Sequence, residues 1–180
     1  MSFLINPFAF AVADGDFEPI ATVTVGSGGA AYAEFTNIPQ TYQHLQVRCI
    51  GRSSSSASNQ AAIVLSINGT NLEKEHGMYG DGSSAGAFNG SAYNWNSTTS
   101  VSLANTFAAA VVDILDYTST TKNKVVRTFN GLEMNGSGYV LLYSGLRLTT
   151  NAVTSIRFFD SIPGNWTQHS TFALYGIKAP

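Results

Sequence analysis

No window of twelve or more residues in this chain carries apolar side chains at i, i+3, i+4 and i+7 among good helix formers, so an amphipathic helix has no sequence to form from. The nearest competitor, residues 104–115, ends in Val111-Val112-Asp113-Ile114-Leu115, whose β-branched side chains favour a strand. Alternation with a period of two recurs instead, as in Leu45-Gln46-Val47-Arg48-Cys49. Nine runs read as strands: residues 20–25, 31–36, 44–52, 61–68, 107–115, 124–130, 139–147, 153–159 and 170–177. Between them stand Gly, Asn, Ser and Pro, the residues that turns demand. Gly26-Ser27-Gly28-Gly29 between the first two runs reads as a hairpin turn. The expected fold is therefore all-β: a single antiparallel β-sandwich, jelly-roll-like, with about nine strands.

Two stretches lack the strand pattern. Residues 53–59 are a polar, serine-rich loop, and residues 71–102 read as one long loop containing Tyr79, Phe88, Tyr93 and Trp95. A structureless loop of that length is uncommon in a compact domain, so it is expected to pack over the sandwich or to form a contact surface. With 180 residues the chain fits one domain that buries roughly 70% of its unfolded surface. Residues 17–180 are assigned to the sandwich and residues 1–16 to an extended apolar N-terminal arm carrying Phe3, Leu4, Ile5, Phe8 and Phe10. The arm lacks Lys and Arg at its start, and Asn6-Pro7 interrupts its apolar run, so it is not read as a signal peptide. An ordered arm of this composition must bury itself on its own domain or on a neighbouring subunit, and the second would make it an assembly device.

Charged residues make up 11% of the chain, against about 25% in an ordinary soluble domain. Ser, Thr, Asn and Gly replace them, and the net charge is −2 with no basic run, which argues against a nucleic-acid partner. No stretch approaches the roughly 18 apolar residues of a membrane-spanning helix. The one cysteine, Cys49, falls on the inward side of its strand and is expected to be a buried thiol rather than a nucleophile.

Catalytic motifs are missing. His44, His76 and His169 have no metal-ligand spacing, and Asp14-Gly15-Asp16 fails as a calcium loop because Pro19 and Val25 stand where Gly and Glu are required. Among the 11 carboxylates, Asp113 with Asp116 and Glu73 with Glu75 are the pairs close enough in sequence to raise glycoside hydrolysis. No catalytic elbow, phosphate loop or metalloprotease motif accompanies them. The expectation is a protein without enzymatic activity, metal or cofactor. Five glycosylation-type sequons begin at Asn68, Asn89, Asn96, Asn135 and Asn165, and three of these are Asn-Gly pairs that read as turn chemistry. Tyr79, Tyr93, Trp95 and Trp166 fall in expected loops. They either pack at the core edge or an interface, or offer exposed rings to a glycan.

The run from Ile20 through Ala30, continued by Phe35-Thr-Asn-Ile-Pro-Gln-Thr-Tyr-Gln-His-Leu-Gln-Val-Arg48, resembles the opening of a group of bacteriophage virion proteins. The closing Ser170-Thr-Phe-Ala-Leu-Tyr-Gly-Ile-Lys178 is similar to that group's last strand. Such proteins occur among tailed phages of aquatic bacteria, cyanophages included. The resemblance covers about 40 residues at the front and 10 at the back, and it implies a setting rather than a site. Low charge suits copies crowded on a shell, and unpaired strand edges invite coverage in a closed oligomer. The expectation is a virion protein assembled in the host cytoplasm. It would be a capsid decoration protein, a homotrimer bridging major capsid subunits with its arm along a neighbour. The alternative is a tail-fibre, neck-fibre or spike domain whose Tyr79, Tyr93, Trp95 and Trp166 contact a host glycan. A glycan-cleaving enzyme using Asp113 or Asp116 is the third reading.

Overall fold

The computed structural model describes residues 16–178, and the arm residues Phe3, Leu4, Ile5, Phe8 and Phe10 lie outside them. The described chain is all-β: thirteen strands and no helix, in two antiparallel sheets. The strands are β1 (Phe17–Thr24), β2 (Tyr32–Phe35), β3 (His44–Gly51), β4 (Gln60–Ile67), β5 (Thr70–Asn71), β6 (Lys74–Gly80) and β7 (Ala85–Gly90), followed by β8 (Tyr93–Thr98), β9 (Ala108–Leu115), β10 (Lys124–Glu133), β11 (Gly138–Arg147), β12 (Ile156–Asp160) and β13 (Thr171–Ile177). The large sheet runs β1-β13-β3-β9-β10-β11-β6-β7. The small sheet runs β2-β12-β4, with β5 and β8 pairing successive halves of the far side of β4. Thirteen strands thus stand in place of the nine expected, eight in one sheet and five in the other.

Alternation sets the core. Leu45, Val47 and Cys49 of β3, Val112 and Ile114 of β9, and Phe172 and Leu174 of β13 point inward from the large sheet. Ala33, Phe35, Ile63, Leu65, Ile67, Ile156 and Phe158 meet them from the small one. Cys49 is buried as expected, and burial pushes its thiol well above the ordinary range. His44 begins the interior strand β3 and accepts the Asp116 backbone N–H through Nδ1 at 2.9 Å.

Two expectations fail for identifiable reasons. The glycine run 26–29 does not close a hairpin: β1 pairs with β13 and β2 with β12, so the chain crosses there between sheets. Gly29 has φ 70°, and a Cβ on it would stand 2.9 Å from the Trp166 carbonyl oxygen, so glycine is needed for close backbone approach as well as for the turn. The supposed loop 71–102 is built mostly of strands, β6, β7 and β8. In the β6–β7 ribbon aromatic rings lie over glycines of the partner strand. A Cβ on Gly77 would come within 2.1 Å of the Phe88 ring and one on Gly86 within 2.8 Å of the Tyr79 ring. Glycine at inward positions erases the apolar alternation while providing the space each ring occupies.

Candidate functional site

The four aromatic residues singled out in the sequence separate into two environments. Trp95 in β8 and Trp166 ahead of β13 are 0% and 2% exposed and stack at 5.6 Å with 12° between their planes. Phe172 meets Trp166 edge-on at 4.9 Å, and Phe158 stacks on Phe172 at 5.9 Å. The Trp166 Nε1–H donates to the Phe158 carbonyl at 3.1 Å. These rings are core, and neither tryptophan is placed to touch a glycan.

Tyr79 and Tyr93 do share a surface. They line a cleft of about 350 Å3 with Gln60, Glu75, Asp81, Phe88, Asn96, Tyr139, Leu141 and Tyr143. The large sheet extends to β6 and β7, while the small sheet ends at β8, so the sandwich opens here. Tyr139 meets Tyr79 edge-on at 6.0 Å, and Tyr143 meets Phe88 edge-on at 5.0 Å. Tyr93 is 42% exposed at the start of β8.

Polar groups converge on the same space. Glu75 is only 3% exposed, and its Oε2 has no hydrogen-bond partner among the described residues. Burial pushes its carboxyl up to about 7, against a smaller lowering by the Tyr93 backbone N–H that donates to it. Gly90 makes room for this carboxylate, because a Cβ there would lie 2.8 Å from Oε1. Asn89-Gly90 therefore sits inside a strand, whereas Asn68-Gly69 and Asn135-Gly136 form the tight turns expected of them, all four residues having positive φ. Asp81 behaves oppositely to Glu75. The backbone N–H groups of Ser83 and Ser84 and both hydroxyls donate to it, holding its carboxyl well below the usual range. It is occupied in closing the β6–β7 turn. From the other wall the Tyr143 hydroxyl donates to Asn96 Oδ1 at 3.2 Å, and Asn96 Nδ2 donates to Gln60 Oε1 at 3.1 Å.

The sequence-level acid pairs are drawn to separate partners. Asp113 accepts from Gln46 Nε2 at 2.9 Å, while Asp116 accepts from Lys122 Nζ at 2.6 Å. Glu73 is salt-bridged to Arg147, and Glu75 faces the cleft. No group of three or more His, Cys, Asp or Glu able to hold a metal occurs among the described residues.

A second surface was not legible in the sequence. On the outer face of the large sheet, cross-strand pairs run Val111–Phe129–Leu142–Met78–Ala87 across five strands. The adjacent row runs Ile50–Ala109–Gly131–Val140–Gly80–Ala85. Ile50, Met78, Phe129, Val140 and Leu142 are each about half exposed. Only the pairing register gathers these side chains into one face. No protein-family model, curated protein or solved structure matches this chain.

Proposed function

We propose that this chain is a non-enzymatic virion structural protein of the tailed-phage type, a capsid decoration protein that seats on major capsid subunits as a homotrimer. The observation that carries this reading is the apolar outer face of the large sheet. It is a two-row surface centred on Phe129, Leu142 and Met78, larger in reach than scattered surface hydrophobes require. The major capsid protein is its proposed occupant, with residues 1–13 laid along a neighbouring subunit. The low charge of the chain supports close packing of copies.

Quantitative mass spectrometry of purified particles, with low-resolution electron cryo-microscopy, tests the assignment. Copies spread over the head, together with loss of occupancy in a Phe129→Asp/Leu142→Asp variant, are the expected result. A deletion of residues 1–13 is expected to lower the temperature at which heads release DNA. Unchanged occupancy and unchanged head stability would overturn the decoration reading. The cleft favours a second reading, a tail-fibre, neck-fibre or spike domain that binds a host surface glycan. Copies confined to the tail or neck would support it.

A further inference from the structure

We infer that the cleft between the β6–β7 ribbon, β8 and β11 is a binding site for an uncharged pyranose sugar. The inference gives the glycan-binding reading a ligand class and a set of residues, yet it does not depend on where in a particle the protein sits.

Glu75 is the first argument. A carboxylate 97% removed from solvent with one oxygen unpartnered carries a desolvation cost that a hydrogen-bond donor from a ligand would relieve. The carboxylate is held in place by the Tyr93 N–H and by the space Gly90 leaves, and Glu75 lines the cleft. Across the cleft the Tyr143–Asn96–Gln60 relay consumes the Gln60 carbonyl and leaves its amide nitrogen as the donor at the end of the chain. An acceptor and a donor on opposite walls match hydroxyl groups, each of which both donates and accepts.

The walls supply the second argument. Tyr79, Phe88, Tyr93, Tyr139 and Tyr143 line the cleft with rings, on which the C–H face of a pyranose can pack while its hydroxyls meet the polar groups. Charge then narrows the class. Glu75 and Asp81 are the ionisable acids in the lining, and no Lys, Arg or His accompanies them. An acidic sugar or a phosphate would enter against two carboxylates with no cation to receive it. A quaternary ammonium would suit the rings and the acids, but it has no use for the Gln60–Asn96 donors. At about 350 Å3 the cleft lies near the lower end of the range for small-molecule sites, about 300–1,000 Å3, room for one or two sugar rings.

The test uses the full chain in calorimetric and saturation-transfer NMR titrations against glucose, galactose, mannose and N-acetylglucosamine, with glucuronic acid and choline as competitors. At least one neutral sugar is expected to bind. Tyr93→Ala and Glu75→Gln are each expected to weaken it about tenfold or more, as loss of a stacking ring or a charge-assisted hydrogen bond implies. Tyr93 is exposed enough for its truncation to leave the thermal midpoint nearly unchanged, which separates lost binding from lost folding. Three results would overturn the inference: no neutral sugar bound at tens of millimolar, choline or glucuronic acid bound in preference, or affinity unchanged in both variants. Particle location is read by a different experiment, so either proposal can fail alone.

Discussion

The two aromatic centres of this protein use similar side chains to opposite ends. At the Trp95–Trp166 centre both sheets contribute rings, and the stack is buried against Phe172, itself stacked on Phe158. At the β6–β7 end the small sheet stops at β8, and the rings of Tyr79, Tyr93 and Tyr139 line an open cleft instead of a closed core. Chemistry follows the difference. The tryptophans sit in the closed centre, where the Trp166 N–H donates to the Phe158 carbonyl and the buried Trp95 Nε1 has no hydrogen-bond partner among the described residues. Tyrosine, with a hydroxyl that water or a ligand can serve, borders the open one. A ring's role is thus set by whether a second layer covers it.

The comparison breaks most sharply under truncation. Trp166→Ala removes a ring that packs on Trp95 and Phe172 and is expected to cost about 3–5 kcal/mol of folding stability. Tyr93→Ala, from the half-open wall, is expected to cost under about 1 kcal/mol. Urea denaturation with matched m-values measures both. Equal losses would mean that the cleft rings are core after all.

A pH series sharpens it through Glu75. Its folded-state carboxyl is raised to about 7 from an ordinary 4.5, so between those values the folded chain binds more protons than the unfolded one. The Glu75 contribution to stability therefore falls as pH rises from about 4.5 to 7 and stays flat above. At most about 3 kcal/mol is involved, at 1.36 kcal/mol per unit. Glu75→Gln is expected to abolish that slope and to stabilise the protein at pH 8 relative to the parent. The titratable groups that line the cleft with Glu75 are Asp81, Tyr79, Tyr93, Tyr139 and Tyr143. Asp81 titrates far below the window, and burial raises Tyr143 above it. Chemical denaturation at pH 5, 6, 7 and 8 reads the slope, and a variant slope equal to the parent's would contradict the burial of this carboxyl.

Much of the fold was legible because alternation survives wherever the inward side chain is apolar. Residues of β3, β4, β9, β10, β11 and β13 are recognised almost end to end. The cleft strands were hidden because their inward positions hold Gly77, Gly86, Gly90 and Glu75, which break the apolar pattern and give an aromatic ring or a carboxylate its place. Tyr79 and Tyr93 were identified as candidate contacts, but Glu75 was considered only beside Glu73, which lies ahead of β6 and is drawn away by its salt bridge to Arg147. Trp95 was read as loop because of its neighbouring Asn and Ser residues, while β8 is a strand lying against β10 and β11; Trp166 does lie outside the strands, but packed in the core. The outer apolar face needed the register of five strands, information that no single segment contains.

Glycine substitutions give the finest discrimination between the centres. A Cβ on Gly51 would stand 2.8 Å from Trp166 Cζ3 and 2.9 Å from Trp95 Cη2, two rings that are locked by their neighbours. Gly51→Ala is therefore expected to cost about 1–3 kcal/mol, the usual penalty of overpacking. A Cβ on Gly86 would stand equally close, 2.8 Å, to the Tyr79 ring, but that ring borders open space and can swing aside. Gly86→Ala is expected to change stability by no more than about 0.5 kcal/mol while displacing Tyr79 and weakening sugar binding severalfold. Thermal melts and the same sugar titration on both variants read the contrast. Similar destabilisation at the two positions would mean that Tyr79 is as fixed as the tryptophans, and that the cleft is rigid before any ligand arrives.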